Sequence, residues 1–534
     1  MHRGIQRWLA CALAGLAVSA GVQHTWAQEA GNLYPTAGPG VQTTLTSSEM
    51  AAPGTDLAQQ VADMKASLKK IQDAADAAKA KAAGQPSVNL GGMIQLDTAM
   101  FEENAKATTY LKSTNGTEFR RVRLWAYGDA FQNMDYKVEI EFARTDRPNL
   151  KDVFFTVNEL PYLDHIRVGH MKEPFGLEQL TSDRFITFME RSMSDGDSGF
   201  MVPSRDIGVM EFGWSEDEKF NWAAGAFLNT PQLENPPLFP SANAIPTITA
   251  FGGGAGTDTI ATHNGAQTAF TGRLCYDPWY DEATQGRGLF HTGVAYSYRA
   301  DQGYTSKVDG NAALDGVILS SYAVKPEAHL GPSILGPAYP INAVDNQLGG
   351  LEMAFEYGPF SLQGEAYVDQ ITRGGAIVAA QGGPNTVTFS GCYLYGSYFL
   401  TGENRTYNRH GAFFDRVKPY TNFFRVRTED CCVETGWGAW EVAYRWDYVD
   451  MYDHAGAVAP TVANNGFSTI GWGRASAQTI GLNWYLNPYS RIMANYVFAV
   501  VDRVDNTGTS AAPVATWNKD HTINCFEMRA AFDF

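Results

Sequence analysis

The sequence predicts an all-β protein, a transmembrane antiparallel β-barrel, preceded by an α-helical coiled-coil segment. Three observations carry this reading. The chain opens on a secretory leader, and no later apolar run reaches the roughly 18 residues a spanning helix needs. Its mature part alternates apolar and polar residues at period two, the period of a strand. It ends, with no polar tail, on an aromatic residue of such a strand, Phe534.

In chain order, Arg3 and Arg7 form a positive region ahead of the mostly apolar stretch from Trp8 to Val22, and Thr25-Trp26-Ala27 sets cleavage after Ala27. Val18-Ser19-Ala20 is a second candidate site, and Trp8-Leu9-Ala10 before Cys11 is a poor lipobox. Residues 28–55, rich in Gly, Pro, Ser, Thr and Ala, read as a linker. From 56 to 83 the pattern changes. Leu57, Val61, Met64, Leu68, Ile71, Ala75, Ala78 and Ala82 alternate intervals of four and three, an a/d seam over about four heptads. A short coiled coil is the favoured reading, because nothing soluble precedes the barrel for the helix to pack on. An amphipathic helix lying on its own barrel is the other. The alanines at the last three seam positions leave that half weak alone. Gly84-Gln85-Pro86 ends it.

Strands follow from Val88. Tyr136, Val138, Ile140 and Phe142 alternate with Lys137, Glu139 and Glu141; Trp440, Val442, Tyr444, Trp446 and Tyr448 alternate with Glu441, Ala443, Arg445, Asp447 and Val449. Ile480, Leu482, Trp484 and Leu486 lead into the turn Asn487-Pro488-Tyr489-Ser490, and Ile492, Ala494, Tyr496 and Phe498 return from it. In the last strand, Phe526, Met528, Ala530, Phe532 and Phe534 oppose Cys525, Glu527, Arg529, Ala531 and Asp533. Polar residues cannot face lipid, so they face a wet interior, and the aromatic-rich parity suits the interfacial girdles of a membrane barrel. Long Gly/Pro/Asn-rich stretches at 231–267, 301–348 and 451–476 contrast with the short Asn487–Ser490 turn. Short turns on one side and long loops on the other is the expected arrangement. At ~10 residues per strand, residues 88–534 hold a strand count in the mid-teens, and a barrel that wide leaves an aqueous lumen.

Charge and cysteines narrow the function. The net charge is −17, and removal of Arg3 and Arg7 with the leader takes the mature chain to −19, which argues against nucleic-acid binding. Five cysteines remain, Cys275, Cys392, Cys431, Cys432 and Cys525, an odd number without metal-type spacing. The Cys431-Cys432 pair reads equally as an oxidisable pair or as two loop thiols. The ten histidines show no paired metal spacing, and no nucleophile elbow or H-E-x-x-H occurs. No enzyme, cofactor or metal centre is expected.

Several stretches together resemble the phosphate-selective porin O/P family of Gram-negative outer membranes. They are Gly91-Gly92-Met93-Ile94-Gln95-Leu96-Asp97, Glu118-Phe119-Arg120-Arg121-Val122-Arg123-Leu124, the run from Arg167 to Ser182, and Phe188-Met189-Glu190-Arg191. Further along come Tyr398-Phe399-Leu400-Thr401-Gly402-Glu403, Arg416-Val417-Lys418-Pro419, Gly438-Ala439-Trp440-Glu441 and Gly481-Leu482-Asn483-Trp484-Tyr485. They keep the family's order across nearly all of 88–534. The resemblance implies a sixteen-stranded homotrimeric porin in outer-membrane lipid, with an inward-folded loop that narrows the pore. It also fits an N-terminal coiled coil, here with a possible contact to the cell wall. A ladder of basic side chains would then draw phosphate-like anions, because an oxyanion that sheds water needs charge-assisted donors and Arg offers a matching planar fork.

The resemblance gives Arg120 and Arg121 as the carried-over anion ligands. Parity adds detail: if Val122 and Leu124 bracket the lipid face, Arg121 and Arg123 face the lumen, and Arg120 faces lipid unless a bulge re-aims it. Pairing of these arginines with acidic wall neighbours is the competing reading. Lys172, Arg184 and Arg191 are the basic candidates of the loop from 172 to 191, which also carries Glu173, Glu178, Asp183 and Glu190. Selective members carry a lysine after the Leu-Glu pair, where this chain has Gln179; Arg184 is the candidate compensation. Arg416, Lys418, Arg425 and Arg427 read as further basic candidates or as solvated rim charges. Three functions stay open: a small-anion porin passing phosphate or polyphosphate, a weakly selective general porin, and a barrel with a structural, envelope-tethering role.

Overall fold

The computed structural model describes residues 69, 86–105, 107, 111, 113–143, 148–195, 201–229, 267–300, 318–320, 324–336, 341–373, 385–427, 433–453, 473–506 and 515–534. The leader, linker and coiled-coil expectations lie, Lys69 apart, outside them, as does the Cys431-Cys432 pair.

Sixteen antiparallel strands form the barrel wall. They are β1 (Asn89–Glu103), β2 (Gly116–Phe131), β3 (Met134–Glu141), β4 (Asn149–Leu160), β5 (Asp164–Lys172), β6 (Arg205–Trp214), β7 (Phe220–Asn229), β8 (Gln267–Tyr280), β9 (Gly288–Ala300), β10 (Ile341–Tyr357), β11 (Phe360–Arg373), β12 (Thr386–Phe399), β13 (Ala439–Asp450), β14 (Gly473–Asn487), β15 (Ser490–Asn506) and β16 (Ala515–Asp533). Each pairs with its sequence neighbour, and β1 pairs with β16 from Met93↔Asp533 to Glu103↔Ile523. Gly92 and Phe534 exchange both backbone hydrogen bonds, so closure runs to the last residue. Closure leaves the sixteen-stranded wall without an edge, which lipid requires because it offers no partner for an unpaired N–H or C=O.

The period-two reading matches the two faces. On β16, Phe526, Met528 and Phe532 are exposed on the outside, while Cys525, Glu527 and Arg529 are buried inside. On β13, Val442, Tyr444 and Trp446 face out and Glu441, Arg445 and Asp447 face in. Val294, at the middle of β9, faces outward between Leu274 and Leu351.

The connections depart from the expectation in one respect. Six of those at the end holding Phe534 are short, among them Gln132-Asn133, 358–359 and the Asn487–Ser490 turn. Yet the long β12–β13 connection, residues 400–438, leaves from the same end. Its hairpin, Thr406–Asn408 paired with Phe413–Asp415, turns into the barrel, where Tyr407, Ala412 and Phe414 are buried. It carries no apolar run that distinguishes it from an outer loop, so composition gave no sign of this.

Two segments enter from the long-loop end. The β5–β6 connection, residues 173–204, contributes Phe175, Met193, Met201 and Val202 to an interior apolar cluster, and residues 324–336 contribute Val324, Ala328, Ile334 and Leu335. Wall residues Tyr367, Ile371, Phe389, Val497 and Ile523 complete it. Gly391 of β12 allows the close approach, because any Cβ there would collide with Ser194 Oγ. Three inward segments therefore narrow the wide aqueous lumen that the strand count implies.

Placing a charge on the lipid face tests the orientation. Val294→Arg should lower barrel stability by about 2–4 kcal/mol, the range for a cation near the bilayer midplane. Denaturant unfolding in lipid vesicles measures this; an unchanged midpoint would contradict the outward placement.

Candidate functional site: the clamped inner loop

The inner loop brings its own backbone into the barrel, so its polar groups need partners there. Wall side chains supply them. Glu365 of β11 accepts from the N–H groups of Leu177 (2.5 Å) and Glu178 (2.9 Å), at the start of the one-turn helix Leu177–Leu180. Asp447 Oδ2 accepts from Met193 N at 2.6 Å. Asn483 donates to Thr187 O (2.8 Å), Arg491 to Ile186 O (2.8 Å) and Gln95 to Asp183 O (3.2 Å).

Two loop carboxylates collect the charge. Asp183 lies 2.8 Å from Arg123 Nη1, 2.6 Å from Arg191 Nη1 and 3.3 Å from Arg121 Nε. Glu190 receives a two-pronged contact from Arg120, Nε and Nη2 each at 2.9 Å, and a third from Arg529 Nη2 at 2.6 Å. Arg121 reaches Glu190 at 3.8 Å and donates to Gln95 at 2.9 Å. Arg445, fully buried, joins Glu178 (3.2 Å) to Glu327 of the 324–336 segment (2.5 Å), with its Cζ 4.4 Å from the centre of the Phe188 ring.

Arg120 reaches Glu190 because β2 is bulged. Gln95 pairs with Arg121 and Leu96 with Phe119, so Arg120 is the extra residue of β2. Strict alternation would aim it at lipid; the bulge turns it inward beside Arg121.

The sequence-derived candidates therefore divide. Arg120, Arg121, Arg123 and Arg191 converge on Asp183 and Glu190, and Arg123 also meets Glu141 (2.6 Å) and Glu139 (3.2 Å) of β3. Arg121 keeps only 2% of its side chain exposed, so these guanidinium groups are buried and charge-compensated. Lys172 turns its ammonium to the carbonyls of Gln179, Leu180 and Thr181, fastening the helix end. Gln179 is buried and donates to Pro203 O at 3.3 Å.

Arg184 stands apart, with 27% of its side chain exposed. Its Cζ lies 4.9 Å from the centre of the Trp125 ring and 4.6 Å from that of Phe185, and its guanidinium is 3.5 Å from Asp533. Arg416 Cζ lies 5.0 Å from the centre of the same Phe185 ring, and its guanidinium also meets Asp533. Arg184, Phe185, Arg416 and Asp533 line a recess at the short-turn end, open to solvent, together with Arg491, Gln95 and Tyr489. Lys137, 26% exposed, lies 6.0 Å from the Trp125 ring centre and pairs with Asp152 and Glu139 at 2.6 Å each. Lys418 is exposed at the rim, and the side chains of Arg425 and Arg427 lie outside the described residues. The convergence of Arg445, Arg491 and Lys137 on these places was missed, although parity sets all three facing inward.

A closed sixteen-stranded barrel with a loop pinned across its interior is a channel of the porin class. The chain belongs to the phosphate-selective porin O and P family, whose model matches residues 88–534. It is an outer-membrane porin. Among curated relatives, Porin O of Pseudomonas aeruginosa is 25% identical over 434 residues, covering 79% of this chain and 84% of that protein. An uncharacterized protein of Caulobacter vibrioides is 25% identical over 455 residues, 84% of this chain and 75% of its own length. Among solved structures, an anion-selective porin from Comamonas acidovorans aligns over 84% of this chain and 100% of its own, at 12% identity and a TM-score of 0.45.

The clamp sets a pH dependence. Burial alone would raise the Asp183 and Glu190 carboxyls. Arg121, Arg191 and Arg123 around the first, and Arg120, Arg121 and Arg529 around the second, outweigh it and hold both well below the usual carboxylate range. A depressed folded-state value stabilises above the unfolded carboxylate pKa and is lost only as pH falls through the depressed value. Burial moves Glu178 and Asp195 the other way, so mild acid favours their docked, protonated forms. Protease resistance of residues 173–204 should thus persist from pH 7 to about 4.5, near the unperturbed carboxylate range. Cleavage appearing near pH 5 would contradict this.

Proposed function

We propose that this porin passes small anions, phosphate-like oxyanions among them, and that the recess beside the inner loop is where they meet the wall. The carrying observation is its charge: Arg184, Arg416 and Arg491 line it against Asp533, the one carboxylate among its lining residues. An oxyanion entering there loses water and finds guanidinium forks beside the aromatic surfaces of Phe185 and Tyr489. Arg120, Arg121, Arg123, Arg191 and Lys172 act as positioning residues that hold the loop, and Arg184 is the contact residue. The weakly selective reading is favoured by the buried Gln179, standing where selective members carry a lysine, and by the neutralised arginines, which leave few uncompensated cations. Membership in the family supports assembly as a homotrimer. The heptad seam of residues 56–83 supports a contact with the cell wall; deleting the segment should weaken envelope attachment and leave conductance intact.

Planar-bilayer recordings test the anion reading. In a KCl gradient the protein should favour chloride, and added phosphate should reduce chloride current. Arg184→Glu takes the recess from two net positive charges to none and should shift the reversal potential towards cation preference. Cation preference in the unmodified protein, with no effect of phosphate, would overturn the reading.

A further inference from the structure

We propose that Cys275, His291 and Glu352 form a zinc(II) site on the inner wall, with Asp277 orienting the histidine. The three come from adjacent strands, β8, β9 and β10, and one potential ligand atom of each lies within 4.8 Å of the others. All three face inward and are buried. Glu352 Oε1 is 3.0 Å from His291 Nε2 and 3.2 Å from Cys275 Sγ. Neighbouring ligands of a tetrahedral zinc stand roughly 3.3–3.6 Å apart, given zinc–nitrogen and zinc–oxygen lengths near 2.0 Å and zinc–sulfur near 2.3 Å. Small side-chain rotations complete that arrangement.

Three further observations point the same way. His291 Nδ1 lies 2.7 Å from Asp277 Oδ1, the carboxylate–histidine pairing that fixes which ring nitrogen faces a metal. Tyr407 of the inserted hairpin packs its hydroxyl 2.8 Å from the same nitrogen and 3.2 Å from that carboxylate. Asp277 Oδ2 is buried without a partner. Second, Glu352 Oε1 is crowded: Arg273 Nη2 (2.6 Å) and Nε (3.0 Å) also point at it, beside the histidine and the thiol. Bound zinc would take Oε1 and leave Arg273 to Oε2, 3.2 Å from Nε. Third, position 293 is glycine, and any Cβ there would collide with the Glu352 carboxylate. Cys275, Gly293 and Glu352 are directly opposite one another, so the glycine lets Glu352 lean across β9 to the thiol.

Loading displaces the Cys275 thiol proton, and any proton carried on His291 Nε2, to solvent as sulfur and nitrogen turn their lone pairs to the metal; no electrons are exchanged. Thiolate, imidazole and carboxylate in one tetrahedral set favour zinc over magnesium or calcium, and a fourth position stays for water. The ligands lie on three strands, so no spacing motif announces them.

Cobalt(II) and zinc(II) test this on the full chain, folded in detergent and stripped with a chelator. Cobalt should produce a thiolate-to-cobalt charge-transfer band that one equivalent of zinc abolishes. Cys275→Ser should remove the band, and Asp277→Asn should weaken zinc about 10–100-fold, the range for an outer partner of a ligating histidine. Each variant's barrel is checked by heat-modifiable migration. A cobalt spectrum of the unmodified chain with no thiolate band, or a band that persists in Cys275→Ser, would overturn the site. The spectrum of the unmodified chain decides the question even if a variant does not fold.

Discussion

Two carboxylates shared among guanidinium groups organise the interior of this barrel. Asp183 is held by Arg121, Arg123 and Arg191, and Glu190 by Arg120, Arg529 and, at longer range, Arg121. Each carboxylate alone in so dry a place would be costly, and so would each guanidinium. Together they satisfy one another, and taking one member from such a buried set typically costs about 3–5 kcal/mol. The loop docks where its acids find the wall's cations. The apolar contacts of Phe175, Met193 and Val202 follow from that placement, as does the junction that Arg445 makes with Glu327.

The same constraint redistributes the functional charge. The arginines of β2 that the family resemblance singles out, Arg120, Arg121 and Arg123, are consumed by structure. The cations left with room for a solute lie to one side: Arg184 and Arg416 around Phe185, and Lys137 beyond Trp125. A strongly acidic chain can thus keep a cationic recess, because its acids at this depth are already paired with deeper arginines.

The barrel was legible because lipid enforces it. Period-two alternation in β13, β14 and β16 sets aromatic and aliphatic side chains on one face and charged ones on the other, and it told inside from outside. Parity also put Arg121, Arg123 and Arg529 indoors. It failed at Arg120, where one inserted residue reverses the side-chain direction and only the pairing register reveals it. It was silent on which inward arginines meet, because Asp183 and Arg123 are 60 residues apart and Arg445 and Glu178 are 267 apart. The hairpin within residues 400–438 escaped for a similar reason: what draws it inward is a fit between Tyr407, Ala412 and Phe414 and a wall pocket built from Cys275, Leu289 and Ala354.

If the carboxylate clamp holds the narrowing loop, releasing it must change the pore. Single-channel conductance of the double variant Asp183→Asn, Glu190→Gln measures this directly, since both substitutions keep size and remove charge. The account predicts a larger and noisier open-channel conductance than the unmodified protein, with the barrel still heat-modifiable. An unchanged, quiet conductance would show that something other than the shared carboxylates holds the loop, and would contradict the account.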